Sequence, residues 1–556
     1  VTLIRNRSGH WNVLAGLPSA AKDESAYQMF SRLLQIREAT IQQGHITITD
    51  EARPDGVRTT KLEAVEMALK VYPGKAQGDL HISASLPAEA APSSFSLTGT
   101  IGLSESSSSL AAEEPYSVHP AFQFDGEIET TNLRLREAAD FFGPRPVPAQ
   151  LQGGANLQSR IRVAPGVAGY DVVLTEIAAN VDQLAITGKA NMAGLLTSQP
   201  TFSITFASPT IDLKTLFARM PPQWIHPQLP GIVEQRQLGG TVEIVSATLT
   251  GATAPSPQLS LTGDFRIEKG TALIGNDRVP TQDLSATISV EPGRIRVGKV
   301  TGSYGTLQMT DGKAVVSFLD EGPWMELDIS GNMTAADLVK FLTKTIRADR
   351  LTSLLAQSRE IEGQTHPTFR LVGPLDKPEG ITFAGGEVLA EQVSLVNPSL
   401  PQRLTAMHGR ILFSQTGGAQ FDQVTANVGE TQLQFNGMIS GGTPSVFQDF
   451  VIRAKGSAAQ LRQMVSAGTF PDDLLYGMVN AKVQLSGPSG APHLRGEIGL
   501  NDAKLVLPMV GEKPLGSPAS LELDADVTRG VGLVVSRMEL VVAPLRLALK
   551  GHITVG

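Results

Sequence analysis

Few residues of this 556-residue chain have the types and spacing of a catalytic or metal-binding site. Asp524 and Asp526 lie two apart in an alternating segment, so on a strand their carboxylates would share one face and could bind a cation. The other interpretation is a solvated outer face, and we favour it. The nine histidines are scattered, and no two of them have the four-residue spacing that places metal ligands on one face of a helix.

Motifs for covalent or phosphate chemistry are also missing from the sequence. The segment Ser486–Gly490 reads SGPSG, which has the wrong spacing for the G-x-S-x-G turn of a serine nucleophile. The Gly-Lys pairs at Gly74, Gly188 and Gly312 are each followed by Ala and lack the upstream Gly of a phosphate-binding loop. Because the chain has no Cys, thiolate metal sites and Cys nucleophiles are excluded. We therefore predict a protein that is not an enzyme and needs neither cofactor nor metal.

The charge of the chain argues against a nucleic-acid-binding protein, and its hydropathy argues against a helix that crosses a membrane. The chain has 46 Lys and Arg against 54 Asp and Glu, a net charge of −8, with no basic run. Nucleic-acid binding needs clustered cations that neutralise phosphates, so we predict no nucleic-acid partner. The sequence contains no stretch of 18 or more apolar residues that could cross a bilayer as a helix.

The dominant pattern is the alternation of apolar and polar residues, which is typical of strands with one apolar face. In residues 201–206, Phe202, Ile204 and Phe206 alternate with two threonines and a serine. Comparable runs recur through the chain, separated by Gly-containing turns, and the 55 Gly and 35 Pro fit many short connections. The sequence predicts an all-β protein.

Helical spacing of apolar residues occurs only in short segments, which we expect to dock on the sheet because they are too short to be stable alone. The predicted helices are residues 211–220, 335–344, 458–467 and, nearer the start, 27–36, with a looser candidate at 133–142. Leu213, Leu338 and Leu461 recur at separations of 125 and 123 residues, which indicates an internal repeat. We predict five segments: 1–110, 111–220, 221–345, 346–467 and a partial repeat, 468–556.

Two N-terminal segments resemble the AsmA-like family of bacterial envelope proteins. The first is LIRNRSGHWN, from Leu3 to Asn12, and the second is IQQGHITITD, from Ile41 to Asp50. The segment from Leu261 to Val316 is similar to the repeated sheet segments of the larger members of the family. The helix ADLVKFLTK, residues 336–344, also fits, so the resemblance extends over nearly the whole chain.

The resemblance implies an elongated, repetitive antiparallel sheet with short helices, curled into an open groove lined by apolar side chains. It further implies a periplasmic protein of a Gram-negative bacterium, anchored in the inner membrane by a helix upstream of Val1. The implied function is passive phospholipid transport between the inner and outer membranes, which supports outer-membrane biogenesis and the permeability barrier. Phospholipids would be the main partners, with outer-membrane proteins as further ones.

The expected lipid contacts follow from alternation alone, so a shift of one residue would move each side chain to the other face. Apolar side chains of this kind suit acyl chains, which need no directional hydrogen bonds. The candidates are Phe95, Leu97, Phe202, Ile204, Phe206, Leu307, Met309, Leu433, Phe435, Ile498, Leu500, Leu545 and Leu547.

Two other functions fit the same pattern of strands. In the first, the apolar face is an ordinary filled core, and the protein is a structural envelope tether or an assembly factor for outer-membrane proteins. The second is a carbohydrate-binding or adhesive β-solenoid, which would need aromatic platforms at its surface. Trp11, Trp224 and Trp324 are too few and too scattered for that.

Overall fold

A computed structural model describes most of the chain. The described residues are 2–5, 37–51, 57–72, 77–86, 93–104, 121–134, 154–166, 170–181, 184–195, 200–220, 222–252, 259–274, 279–345, 356–377, 380–398, 400, 402–442, 444–465, 474–507, 511–528 and 532–553. The predicted helix 27–36, most of 133–142 and Trp11 lie outside them.

The chain forms two compact units. The first comprises residues 1–271 and 287–296, and the second comprises 272–286 and 297–556. Residues 2–271 form twelve strands, of which β1 pairs in parallel with β2 and the others pair antiparallel. These strands are β1 (Thr2–Arg5), β2 (Glu38–Asp50), β3 (Arg58–Val71), β4 (Gln77–Leu86), β5 (Ser93–Ser104), β6 (Ala121–Arg134), β7 (Gly154–Pro165), β8 (Tyr170–Val181), β9 (Leu184–Leu195), β10 (Thr201–Asp212), β11 (Gly239–Ala252) and β12 (Leu259–Thr271).

The remaining strands are β13 (Leu273–Ile274), β14 (Val279–Glu291), β15 (Arg294–Tyr304), β16 (Leu307–Leu319), β17 (Gly322–Thr334), β18 (Arg359–Pro374), β19 (Thr382–Val396), β20 (Leu404–Ser414), β21 (Ala419–Val428), β22 (Thr431–Ile439), β23 (Val446–Ser457), β24 (Leu475–Pro488), β25 (His493–Gly499), β26 (Ala503–Leu507), β27 (Gly511–Lys513), β28 (Ala519–Thr528), β29 (Gly532–Val542) and β30 (Leu545–Ile553). The described pairs among these strands are antiparallel; β26 and β27 form a hairpin on β24, and β25 pairs with β28. The predicted all-β class is confirmed.

Four short α-helices interrupt the described strands: α1 (Leu213–Arg219), α2 (Leu229–Arg236), α3 (Ala335–Thr345) and α4 (Ala458–Val465). The helices predicted at 211–220, 335–344 and 458–467 are therefore confirmed, whereas Leu133 and Arg134 of the looser candidate belong to β6. The helix α2 was not predicted. It has Pro in its first turn, but only two adjacent apolar residues, Ile232 and Val233, after it.

Each of the three repeated helices begins at a polar residue that ends the preceding strand. The Asp212 carboxylate accepts hydrogen bonds from the backbone N–H groups of Lys214 and Thr215, at 3.0 and 3.1 Å. The Thr334 hydroxyl accepts from the N–H of Asp337 at 3.2 Å, and the Ser457 hydroxyl accepts from that of Gln460 at 3.3 Å. These caps satisfy N–H groups that a first helical turn leaves unpaired, which is why strand changes to helix at these positions.

Bulges recur in the strands and bend them. Among the described residues, thirteen that are not glycine have φ between 48 and 55°. Most of those in strands coincide with a shift in register, as at Asn132 in β6 and Glu176 in β8. Buried hydroxyls bond the carbonyls at these two bulges: Ser93 donates to the carbonyl of Asn132, and Ser159 donates to that of Thr175, both at 2.8 Å. Because a bulge bends its strand and increases the twist, each of these positions curves the sheet locally.

Candidate functional site

The first unit has one continuous apolar face. Successive register partners from β3 to β12 form a row across ten strands, and every member is apolar or glycine. The row runs Leu69, Leu80, Gly99, Gly126, Ile161, Leu174, Ala190, Ile204, Leu249 and Leu261. At about 4.8 Å between neighbouring strands, it measures roughly 43 Å, which is longer than an acyl chain that spans half of a ~30 Å hydrocarbon core.

The two glycines do not leave a gap in this row. The ring of Phe124, which is only 2% exposed, lies over Gly99 and Gly126, so that a β-carbon at either position would come within 2.8 Å of it. The ring therefore fills the space above the two glycines as part of the packed core, and at 2% exposure it adds almost no accessible surface. Ile161, Leu174, Ile204 and Leu249 are half-buried.

The second unit has an apolar face of the same kind. A row of register partners crosses eight strands, from β21 to β25 and from β28 to β30. It runs Ala426, Leu433, Ala454, Ala481, Ile498, Leu521, Leu540 and Leu547. Its last member is 36% exposed, and Leu549, on the same face of β30, is 58% exposed.

The thirteen predicted contact residues all lie on these apolar faces, five in the first unit and eight in the second. Five of them are less than a tenth exposed and pack inside hydrophobic clusters: Phe206, Leu307, Met309, Leu433 and Leu500. Leu547 is exposed, and the other seven are half-buried: Phe95, Leu97, Phe202, Ile204, Phe435, Ile498 and Leu545. The structure thus divides one predicted set into core residues and residues with accessible surface.

Several members of the apolar faces were not among the predicted contacts. Leu69, Ile161 and Leu174 in the first unit, and Leu521 and Leu540 in the second, lie in the same rows. Alternation within a strand shows which face of the sheet each side chain occupies. It does not show which residues of the adjacent strands lie beside that side chain, because this depends on how the strands are paired. Only the strand register identifies them as one surface.

The helices cover one end of the apolar faces. In the first unit, Leu213 and Leu216 of α1 pack with Phe206, Ile244 and Phe265 in a buried cluster. In the second, Leu338 and Leu342 of α3 pack on Phe369 and Val388, and Ala458 of α4 packs on Val479. The strand residues that these helices cover are buried, so the covered part of each face is a packed core.

The opposite face of the sheet is polar and carries cross-strand ion pairs. Arg266 and Glu243 lie 2.6 Å apart in the first unit, and Arg410 and Glu387 lie 2.7 Å apart in the second. Like most exposed ion pairs, each contributes about 0 to 1 kcal/mol. Their role is to keep this face hydrated while the other stays apolar.

Asp524 and Asp526 lie on this polar face, as the favoured interpretation of the sequence has it. They flank His493, whose ring nitrogens lie 2.9 Å from an Asp526 oxygen and 3.5 Å from an Asp524 oxygen. A guanidinium nitrogen of Arg495 lies 3.6 Å from the other oxygen of Asp524. Protein groups thus surround the carboxylates. Nowhere in the described ranges do three or more His, Cys, Asp or Glu residues cluster in a way that could hold a metal ion.

A neighbouring carboxylate on the same face is enclosed by two arginines. Glu539 is 7% exposed and lies 2.6 Å from a guanidinium nitrogen of Arg537 and 2.7 Å from one of Arg546. The hydrogen bond from Arg537 lowers the pKa of Glu539, and the positive charge of Arg546 lowers it further. The carboxylate is therefore held ionised as part of a structural network.

Comparison with known proteins gives no match: no family model, curated protein or solved structure is similar to the chain. In the part of the chain that the structure describes, no helix has both the length and the apolar character needed to cross a membrane.

Proposed function

We propose that the protein carries phospholipids between the inner and outer membranes of a Gram-negative cell, with the acyl chains lying on the apolar face and no covalent step. The observation that supports this proposal is the continuous row of apolar residues across ten strands of the first unit. A surface that is apolar and without hydrogen-bonding side chains along its length suits hydrocarbon chains of any length or unsaturation. The membranes and the periplasmic location come from the sequence resemblance.

The half-buried members of the face are the residues that we assign to lipid contact. Exposed apolar surface is costly in water, and large continuous patches of it on a folded protein usually mark a binding surface. Phe95, Leu97, Phe202 and Ile204 in the first unit have free surface on the apolar side. Phe206 lies four residues along β10 from Phe202. It is so buried that it packs in the core and offers almost no surface to a lipid.

A structural tether is the second candidate, and the buried clusters beside the helices favour it. If the half-buried side chains were also covered in the complete assembly, the apolar face would be a core and would have no room for lipid. The two functions differ in whether the folded protein contains bound phospholipid.

Native mass spectrometry of the protein purified from a Gram-negative periplasm distinguishes them. We expect phospholipid to co-purify with the wild-type chain and the affinity of Phe202→Asp for it to fall by at least about tenfold, because a carboxylate in an acyl site loses its hydration. The matched control is Ser203→Asp, which adds the same charge on the polar face of the same strand and should leave the bound lipid unchanged. A folded wild-type chain without lipid, or equal loss in both variants, would favour the tether.

A further inference from the structure

Three cations of the second unit lie together on the polar face. Arg453 of β23 is the direct register partner of Lys482 of β24, and Lys455 lies two residues from Arg453 on the same face. Directly opposed side chains on neighbouring strands have β-carbons about 4.5 to 5.5 Å apart, so the two positive charges repel each other. This arrangement destabilises the sheet unless something else compensates it.

None of the three cations forms an ion pair with a described carboxylate, although other cations of this face do, such as Arg370 with Glu326 at 3.1 Å. Glu497 is the register partner of Lys482, so its negative charge partly offsets the positive charge of the cluster, but the two form no ion pair. The protein has a net charge of −8, so a local excess of positive charge is not a consequence of its composition.

The three cations line a cavity with a volume of about 590 Å³. The same cavity is lined by the carboxamide side chains of Gln432, Gln434 and Asn480, which can both donate and accept hydrogen bonds. Its volume lies within the range of small-molecule sites. Glu497 also lines this cavity, as do Leu433, Ala454 and Ala481 of the apolar row. The cations alternate with these three apolar residues along the strands, so the side chains of the cations lie on the opposite face.

We propose that this cavity is an anion site that binds a phosphate group carried by a polyol. A phosphate oxyanion accepts several charge-assisted hydrogen bonds, which are stronger than neutral ones, and three converging cations would supply them. The carboxamides match the hydroxyl groups of the carrier. The carrier is either a free phosphorylated polyol or the headgroup of a phospholipid such as phosphatidylglycerol, which presents the same chemistry at a membrane surface.

Two binding measurements test the site and separate its sources. Isothermal titration with glycerol 3-phosphate and with glucose 6-phosphate tests the free compounds, and glycerol alone serves as the ligand control. Flotation with phosphatidylcholine vesicles that contain phosphatidylglycerol tests the headgroup. We expect binding in at least one assay, and we expect Arg453→Gln and Lys482→Gln each to weaken it by about tenfold or more.

The matched control is Lys313→Gln, which removes a cation of the same face that is paired with Asp328 at 3.7 Å. This variant should bind as the wild type does. The proposal is overturned if neither probe binds, or if Lys313→Gln weakens binding as much as Lys482→Gln. Neither result depends on whether phospholipid occupies the apolar face.

Discussion

Replacing Phe206 by aspartate is expected to destabilise the protein by about 4 to 5 kcal/mol, a large part of the stability of most domains. The side chain is 7% exposed and packs with Ile244, Phe265 and Leu216. The substitution therefore leaves a cavity and also places a carboxylate where it has neither water nor a partner. The cost should be measured as a shift of the urea unfolding midpoint.

Thr201→Asp is the control for this experiment, because Thr201 lies on the polar face of the same strand and is exposed. It should change the free energy of unfolding by no more than about 0.5 kcal/mol. Equal stability of Phe206→Asp and the wild type would show that this end of the apolar face is not a core.

Replacing Lys513 by methionine is expected to cost about 3 kcal/mol, although Lys513 forms no ion pair with a described residue. Lys513 is 4% exposed, and its ammonium group donates to the backbone carbonyls of Leu500, Asn501 and Ala503 at 2.7, 3.0 and 2.6 Å. Methionine retains most of the apolar contacts but leaves these carbonyls without their donor. Thermal or urea unfolding would measure the loss.

Lys504→Met is the matched control in the same hairpin. Lys504 is 41% exposed and pairs with Glu512 at 2.8 Å, so its loss should cost less than about 1 kcal/mol. If the two variants were equally stable, the Lys513 ammonium group would have no structural role in closing the loop between β25 and β26.

Much of the fold can be predicted from the sequence, because a strand's period of two assigns each side chain to a face without reference to distant residues. Phe202, Ile204 and Phe206 share a face for this reason, and the caps at Asp212, Thr334 and Ser457 are local as well. The division into five segments stays a prediction. The bulges could not be predicted, since Ala64 and Ala406 have positive φ without a sequence signal that would favour it.

The candidate site was predictable only in part. Alternation puts Phe202 and Phe206 on one face, but the burial of Phe206 depends on its packing against α1, which directly follows β10, and against the more distant strands β11 and β12. The cluster of Arg453 and Lys482 is equally non-local, because the two residues are opposed only through the pairing of β23 with β24. Such features depend on register, which a single strand does not specify.

Site-specific photocrosslinking tests the proposed lipid contact most directly. A benzophenone amino acid is placed in turn at neighbouring positions on the two faces, and lipid adducts are measured by mass spectrometry after irradiation in cells. The apolar-face positions are Leu97, Phe202, Phe435 and Leu547, and their polar-face neighbours are Thr98, Ser203, Gln434 and Arg546.

The proposed function predicts phospholipid adducts at all four apolar-face positions and few or none at their neighbours, which follows the two-residue period of the strands. Adducts at both members of each pair, or at neither while the protein remains folded and in its membrane context, would contradict the claim that acyl chains lie on the apolar face.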